Sequence, residues 1–353
     1  MIKKIQNDYS SHVIKTAVVG FGLSATVFHI PFIQASSAFE LVAISSSQRD
    51  AVQQSYPEVT VYDSAPFMVE DTDAELIIIT APNNVHYSLT HMALSQNRHV
   101  IIEKPFVTRV EQGEMLIDLA RAQNKVLAVF HNRRWDGDYL TVKQLINSDQ
   151  LGKVRYFESH FDRFRPVVQG KWREQPGDGA GILFDLGPHL IDQALDLFGI
   201  PDAVTARCLS SREDAKATDF FNLWLHYADK EVVLQSSPYA AAPMLRFHVQ
   251  GMQASYVKHG LDPQEERLKQ GVVPNPSAWS AETPEQYGVM HHAESHMVVP
   301  TQLGGYQHFF ENVADAIAGK TDLIVTPQEA LNCLKIIELA IQSSNLGTTL
   351  EVG

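Results

Sequence analysis

The sequence predicts an α/β domain with a doubly wound parallel sheet, followed by an α+β domain with a large open, mostly antiparallel sheet. Between Ile14 and Val129, short β-branched runs alternate with helix-length segments, which is the order that builds parallel sheets. The run Leu76–Ile79 is apolar at successive positions, as in a strand buried on both faces. After Ala203, strand-like runs follow one another with few helices between them, which is typical of antiparallel sheets.

The length of 353 residues favours two domains, because one domain usually has roughly 100–200 residues. We place the first domain at residues 1–132, with residues 1–13 as a loose arm. The second domain, residues 133–353, is predicted to carry the substrate and to form oligomers. The last predicted helix, residues 326–345, is a candidate for packing back on the first domain.

The individual elements follow from these patterns. The first domain has predicted strands at Ile14–Val19, Leu41–Ser45, Thr60–Tyr62, Leu76–Thr80, Val100–Ile102 and Val126–Val129, and helices at Asn84–Gln96 and Arg109–Asn124. The second has helices at Tyr139–Ser148, Asp185–Phe198, Gly305–Ala318 and Thr326–Asn345, and strands at Val154–Arg163, Ala203–Leu209, Phe220–Tyr227, Val232–Ser236, Leu245–Gln250 and Ser255–Lys258. Pro263–Pro300 is polar and Pro-rich, and is predicted to be a long surface excursion.

Composition excludes several classes of function. With 28 basic and 41 acidic residues the net charge is −13, which disfavours nucleic-acid binding. The sequence contains no run of 18 apolar residues and no signal-peptide pattern, so neither a membrane span nor secretion is expected. Two cysteines fit a reduced, cytoplasmic protein. His291–His296 is histidine-rich, but in a polar segment it is interpreted as a solvated loop, so no metal site is predicted.

A glycine-rich loop follows the first predicted strand directly. Gly20-Phe21-Gly22-Leu23-Ser24-Ala25 matches G-x-G-x-x-G/A. The first glycine permits a tight turn, the second admits a pyrophosphate, and the small third residue lets helix and strand pack closely. A dinucleotide site of the Rossmann type is the preferred interpretation, and a purely structural turn is the alternative.

The end of the second strand indicates which dinucleotide the protein binds. NAD sites place an acid there to bind the ribose 2′-hydroxyl. Here Ser46, Ser47 and Arg49 stand in those positions, and they can bind a 2′-phosphate. NADP is therefore favoured, and NAD stays the alternative because Asp50 follows. Alternatively, Ser46–Asp50 has a structural role and only caps the next helix.

Two further strand ends carry candidate residues. Pro82, Asn83 and His86 follow the strand at Leu76–Thr80, where open α/β sheets hold ligands. Asn83 could contact the cofactor or cap the next helix, and His86 is more often structural. Glu103-Lys104-Pro105 follows the next strand, and Lys104 can hydrogen-bond a substrate oxygen; a solvated lysine before a turn is the alternative.

The second domain offers a candidate acid/base. If a helix starts at Asp185, His189 lies one turn further on the same face. A carboxylate beside an imidazole fixes its tautomer, the arrangement of an oriented general base. The alternatives are an N-cap aspartate with an unrelated histidine, or two metal ligands.

Taken together, these motifs resemble the glucose–fructose oxidoreductase / inositol dehydrogenase / rhizopine-catabolism (Gfo/Idh/MocA) family over nearly the whole chain. The resemblance implies a Rossmann domain, a second domain whose open sheet forms a homodimer or homotetramer, and hydride transfer between NADP and a polyol or sugar. It implies that His189 is the acid/base, Asp185 its partner, and Lys104 the group that binds the reacting hydroxyl. Glu103 and Lys104 would also border the cofactor.

Two stretches look like the NADP-dependent scyllo-inositol dehydrogenase-like branch. The resemblance places Trp172 and Arg173 near the cofactor, and Asn132 and Arg134 near cofactor or substrate. An interdomain salt-bridge cluster is the alternative for the Arg133–Arg134 turn. At the level of function, reduction of an imine or conjugated substrate and a non-catalytic NADP- and sugar-binding regulator stay open.

Overall fold

The computed structural model describes residues 12–170, 174–274 and 279–353. By contacts within the chain it divides into two compact units. The first comprises Met1–Asn132, Gln264–Trp279 and Gly305–Leu331, and the second comprises Arg133–Pro263, Ser280–Gly304 and Asn332–Gly353, each for its described residues. The predicted division into domains at residues 1–132 and 133–353 stays a prediction. Most of the expected N-terminal arm, residues 1–11, lies outside the described residues.

The first unit is built on a six-stranded sheet in the order β3-β2-β1-β4-β5-β6. All neighbouring strands are parallel. The strands are β1 (Ile14–Val19), β2 (Phe39–Ser45), β3 (Thr60–Tyr62), β4 (Leu76–Ile79), β5 (His99–Ile102) and β6 (Leu127–Val129). The chain reverses its direction of winding between β1 and β4, and this reversal creates the crevice where such sheets bind ligands.

Helices connect these strands. A π-helical turn (Ser24–His29) leads into α1 (Ile30–Ala35), and α2 (Arg49–Ser55), α3 (Ala65–Asp71), α4 (His86–Ser95) and α5 (Val110–Ala122) follow. The later segments of this unit contribute α8 (Gln264–Lys269) and α9 (Gln307–Ile317). Every residue of β4 is fully buried, which confirms the sequence pattern of a strand covered on both faces.

The second unit is built on a nine-stranded sheet in the order β14-β13-β12-β11-β7-β10-β9-β8-β15. In the described part of this sheet, only β10 and β7 pair in parallel, and the other neighbouring strands are antiparallel. The strands are β7 (Val154–His160), β8 (Ala203–Leu209), β9 (Phe220–Tyr227), β10 (Lys230–Ser236), β11 (Leu245–Gly251), β12 (Ser255–His259), β13 (Gly288–His291), β14 (His296–Val299) and β15 (Leu350–Glu351). The predicted fold class is confirmed.

The core of the second unit lies between one face of this sheet and its helices. These are α6 (Gly137–Asn147), α7 (Ile182–Phe198) and the part of α10 (Pro327–Leu346) that follows Leu331. Phe157, Phe221 and Phe247 are fully buried from the sheet side. Such aromatic side chains supply much of the apolar area that a core removes from water, so this packing holds α7 in place.

The structure corrects one prediction about chain organisation. Pro263–Pro300 is not simply a surface excursion, because it contains α8 and the hairpin of β13 and β14. The described histidines His291 and His296 pair across that hairpin with exposed side chains. Within the described ranges, no helix is both long and apolar enough to span a membrane.

Candidate active site

The glycine loop leaves the carboxyl end of β1, and Gly20 is required there by the protein itself. Its φ is +101°, a conformation that side chains rarely adopt. A Cβ at Gly20 would lie 2.6 Å from Thr80 Oγ1. The Gly20 N–H donates to the carbonyl oxygen of Ser45 at 2.9 Å, so the turn is fixed to β2.

Gly22 differs, because none of the described residues demands a glycine there. A Cβ at Gly22 would meet no described heavy atom within 4 Å, and Leu23 beside it is 61 % exposed. The open space fits a pyrophosphate that approaches the backbone. Ala25 is fully buried, as close packing of helix and strand requires, and Phe21 packs edge-on against Tyr56 with ring centroids 6.0 Å apart.

The end of β2 carries the residues predicted to select NADP. Ser46 is 9 % exposed, and its Oγ accepts a hydrogen bond from the N–H two residues further on. Ser47 and Arg49 are exposed. The Arg49 guanidinium donates to Asp63 at 3.1 and 3.2 Å and to the Val61 carbonyl at 3.0 Å. These bonds hold the Arg49 guanidinium at the end of β2, where the sequence predicts a cation, and leave it exposed.

His86 joins the loops that follow β4 and β5. Its ring is fully buried, with Nε2 3.0 Å from the Ala81 carbonyl oxygen and Nδ1 2.9 Å from that of Pro105. Burial lowers the pKa of His86, and the two carbonyls oppose the shift. This geometry supports the structural interpretation. Pro82 and the half-buried Asn83 lie on the same loop, and their contact with a cofactor stays a prediction.

The end of β5 places Glu103 and Lys104 beside the glycine loop. The Glu103 carboxylate accepts a hydrogen bond from Ser24 Oγ, and it lies 2.9 Å from His29 Nε2 and 3.2 Å from the Lys104 backbone nitrogen. Lys104 is half-buried. At the end of β6, Asn132 is 5 % exposed. All these residues therefore lie at the carboxyl edge of the parallel sheet, as the sequence predicts.

In the second unit, α7 carries the predicted acid/base. The helix begins at Ile182, three residues earlier than the sequence pattern indicates, so Asp185 lies in its first turn. His189 follows one turn later and is 7 % exposed. The start of the helix needs Gly181, since its φ is +86° and a Cβ would lie 2.8 Å from the Thr218 carbonyl oxygen.

A buried ionic network fixes the next turns of α7. The Arg134 guanidinium binds Asp192 with two hydrogen bonds of 2.9 and 2.8 Å and reaches Asp196 at 3.4 Å. The fully buried Arg246 donates to the Gln193 side chain at 2.8 Å. A paired guanidinium in this geometry resists movement. These bonds lie within the second unit and support a positioning role for Arg134; its predicted contact with substrate stays a prediction.

Sequence reasoning missed Ser24, His29, Asp192 and Gln193. Their partners lie 53 to 79 positions away in the chain, and no local pattern reveals such pairs. Trp172 and Arg173, predicted near the cofactor, lie outside the described residues. Among residues 12–170, 174–274 and 279–353, no group of three or more His, Cys, Asp or Glu residues is arranged to hold a metal ion.

Comparison with known proteins decides the family. Residues 14–131 match the oxidoreductase family model described as an NAD-binding Rossmann fold, and residues 143–352 match the C-terminal alpha/beta domain of the same family. The chain belongs to the Gfo/Idh/MocA oxidoreductase family. It is thus an oxidoreductase with an NAD-binding Rossmann domain.

Relatives match over almost their full length. The chain is 40 % identical to YdgJ of Escherichia coli K12, an uncharacterised oxidoreductase, over 96 % of this chain and 98 % of the relative. It is 35 % identical to IolW of Bacillus subtilis strain 168, a scyllo-inositol 2-dehydrogenase (NADP⁺), over 98 % of this chain and 97 % of the relative.

Solved structures share the fold. The structure of yvaA from Bacillus subtilis matches with a TM-score of 0.93 and 35 % identity, covering 97 % of this chain and 99 % of that chain. An oxidoreductase from Bacillus cereus matches with a TM-score of 0.88 and 27 % identity, covering 97 % of this chain and 99 % of that chain.

Proposed function

We propose that the protein is an NADP-dependent dehydrogenase that transfers a hydride between the nicotinamide and a hydroxyl of a cyclic polyol or sugar. NAD is the alternative cofactor. The observation that carries the proposal is the pair on α7, where Asp185 and the nearly buried His189 lie one turn apart on a helix fixed by ionic bonds. The name of IolW, an NADP-dependent scyllo-inositol dehydrogenase, supports the same substrate class.

The glycine loop and the end of β2 fit the cofactor. Gly20 to Ala25 would hold the pyrophosphate, since Gly22 leaves open space in front of the backbone. Ser46, Ser47 and Arg49 would bind the 2′-phosphate, because two hydroxyls and a guanidinium stand where NAD sites place an acid. When bound, the nicotinamide accepts the hydride from the substrate carbon.

The proton of the substrate hydroxyl needs an acceptor, and we assign it to His189. Asp185 would orient the imidazole and stabilise its protonated form. Lys104 would donate a hydrogen bond to the reacting oxygen and keep it near its final position. In the reverse direction His189 returns the proton to the new hydroxyl. Each group has one task, and the redox step belongs to the cofactor.

To test this function, the wild-type protein is mixed with each of a panel of inositols and sugars and with either NADP or NAD. Turnover is followed by absorbance at the reduced-nicotinamide band. His189→Ala should lower kcat by about 10²–10⁴-fold, which is typical for loss of a positioned acid/base, while NADP affinity stays within about twofold. His291→Ala removes an exposed histidine of the same unit and is the control. Wild-type turnover by His189→Ala at saturating substrate would refute the assignment.

We also propose that the open face of the nine-stranded sheet joins copies of the chain into a homodimer or homotetramer. Along this face Trp224, Val233, Glu158 and His248 lie in one register row across four strands. Trp224 is 41 % exposed, and aromatic residues are enriched in interfaces. Light scattering of wild type and Trp224→Glu tests this; an unchanged mass would contradict the assignment of this face.

The free cysteines Cys208 and Cys333 suit a cytoplasmic location.

A further inference from the structure

The turn that follows the glycine loop is π-helical, and it must be held in that form by something outside itself. It spans Ser24–His29, and the N–H of Ile30 donates to the Ala25 carbonyl, five residues back. Single π-turns inside helices are rare and are frequently found at functional sites. Here the turn stands between the loop predicted to bind phosphate and α1.

A single carboxylate binds both ends of this turn. Ser24 Oγ donates to Glu103 Oε1, and His29 Nε2 lies 2.9 Å from the same oxygen. In an α-helix, side chains five positions apart point about 140° away from each other. A π-turn has more residues per turn, since its bonds run from i to i+5, so it brings side chains five positions apart closer to the same side. The π-turn therefore lets Ser24 and His29 share Glu103, whereas an α-helical turn would separate them.

Glu103 is ionised, and each of its two oxygens accepts a hydrogen bond from the protein. Burial alone would raise its pKa, but the hydrogen bond and charge of His29, the charge of Lys104 and the hydrogen bond of Ser24 lower it to about 2. Its second oxygen, Oε2, lies 3.2 Å from the Lys104 backbone nitrogen. One carboxylate thus ties the start of the helix to the backbone of Lys104.

The His29 ring is held in place for this contact. It is fully buried and lies against Phe130, with ring centroids 4.3 Å apart, and against Phe310 at 5.8 Å. A ring packed in this way has one orientation available. Its Nε2 can therefore serve Glu103 without a change of rotamer.

We infer that Glu103 is a positioning residue for dinucleotide binding, acting through Ser24 and His29. By holding the π-turn, it sets the direction of the N–H groups that follow Gly22, and by its second oxygen it sets Lys104. This inference rests on the proposed function, since it concerns the affinity of the glycine loop for NADP. It assigns a role to two residues that the glycine motif leaves undefined.

The test removes one donor at a time and then restores it. Ser24→Ala and His29→Leu should each weaken NADPH binding about tenfold, equivalent to ~1.4 kcal/mol, measured by titration of cofactor fluorescence. Ser24→Thr and His29→Gln keep a donor at the same place and should bind within about threefold of wild type. Thr26→Ala is the matched control within the π-turn, since the Thr26 hydroxyl donates to the Gly22 carbonyl, and the Thr26 backbone N–H, which bonds the same carbonyl, stays in place.

Hydrogen exchange of the amides of residues 24–30, in protein without cofactor, gives a second readout. Exchange should quicken in Ser24→Ala and His29→Leu and stay at the wild-type rate in Thr26→Ala. Binding and exchange that match the Thr26→Ala control in both variants would overturn the positioning role. A wild-type protein that binds neither NADPH nor NADH would instead refute the proposed function, and the exchange rates would still decide whether Glu103 holds the turn.

Discussion

Two glycines of one loop should respond to substitution in opposite ways. We expect Gly22→Val to abolish dinucleotide binding and to leave the fold intact, because a Cβ placed there meets no described heavy atom within 4 Å. We expect Gly20→Ala to destabilise the protein. The pair therefore separates a glycine required by the ligand from a glycine required by the chain.

The magnitudes follow from the geometry. Backbone N–H groups that bind a phosphate make charge-assisted hydrogen bonds worth about 1.5–3 kcal/mol each, so the loss of two weakens binding by at least about a hundredfold. At Gly20 the φ of +101° would cost another residue about 1–3 kcal/mol. The contact of 2.6 Å with Thr80 Oγ1 adds to this, since that hydroxyl is itself held 2.7 Å from the Val19 carbonyl.

The assays are thermal unfolding followed by circular dichroism, and titration with NADPH by fluorescence. Gly22→Val should unfold at the wild-type temperature and show no saturable binding, whereas Gly20→Ala should unfold at a lower temperature. Gly22→Ala should fall between wild type and Gly22→Val in affinity, since its side chain is smaller. Wild-type affinity in Gly22→Val would show that the loop is not the phosphate site, and unchanged stability of Gly20→Ala would refute the steric argument.

Two further predictions concern charges. Arg49→Ala should weaken NADP binding by about 1.5–3 kcal/mol and leave NAD binding and stability nearly unchanged, because its pair with Asp63 is exposed and such pairs add little to stability; equal wild-type affinities for both cofactors in titrations would refute this. Burial opposes the charge of His160, but hydrogen bonds to Asp162 and Glu158 raise its pKa from 6.5 to about 9. Since the folded-state pKa is the higher one, these bonds should stabilise the fold fully below about pH 6.5 and lose their effect as pH rises through about 9. Urea unfolding of wild type and His160→Gln should therefore give stabilities that converge over this range, and a constant difference between them would contradict the assignment.

The strands could be predicted closely from the sequence. β1, β3, β8 and β9 begin and end at the predicted residues. β1 is a mostly buried run, and β8 and β9 alternate between buried and less buried positions, which are the two patterns that mark strands in a sequence. β14 was missed for the converse reason. Its residues His296 to Val298 are exposed, so no burial pattern marks it as a strand, and pairing with β13 is what orders it.

Side-chain roles were less predictable than elements. Sequence motifs brought Gly20, Ser46, Asn83 and Lys104 to one edge of the sheet, because parallel strands all end there. The role of Arg134 depends on Asp192, 58 positions away, and no local spacing shows that pair. Arg134 pairs with Asp192 and Asp196 inside the second unit, so these ion pairs differ from the interdomain cluster of the alternative interpretation, and its contact with substrate stays a prediction.

The same reasoning applies to Glu103, which the family resemblance places at the border of the cofactor and which the structure shows in contact with Ser24 and His29. A carboxylate with a pKa of about 2 beside a site for phosphates would repel them, unless its charge is neutralised within the protein. The charges of His29 and Lys104 offset it, and Ser24 and the Lys104 N–H hydrogen-bond the two carboxylate oxygens. Two of these groups lie five positions apart on a π-turn, a spacing that a search for helical periodicity does not detect. The groups that offset the charge of Glu103 thus include a residue of the turn whose position we propose it sets.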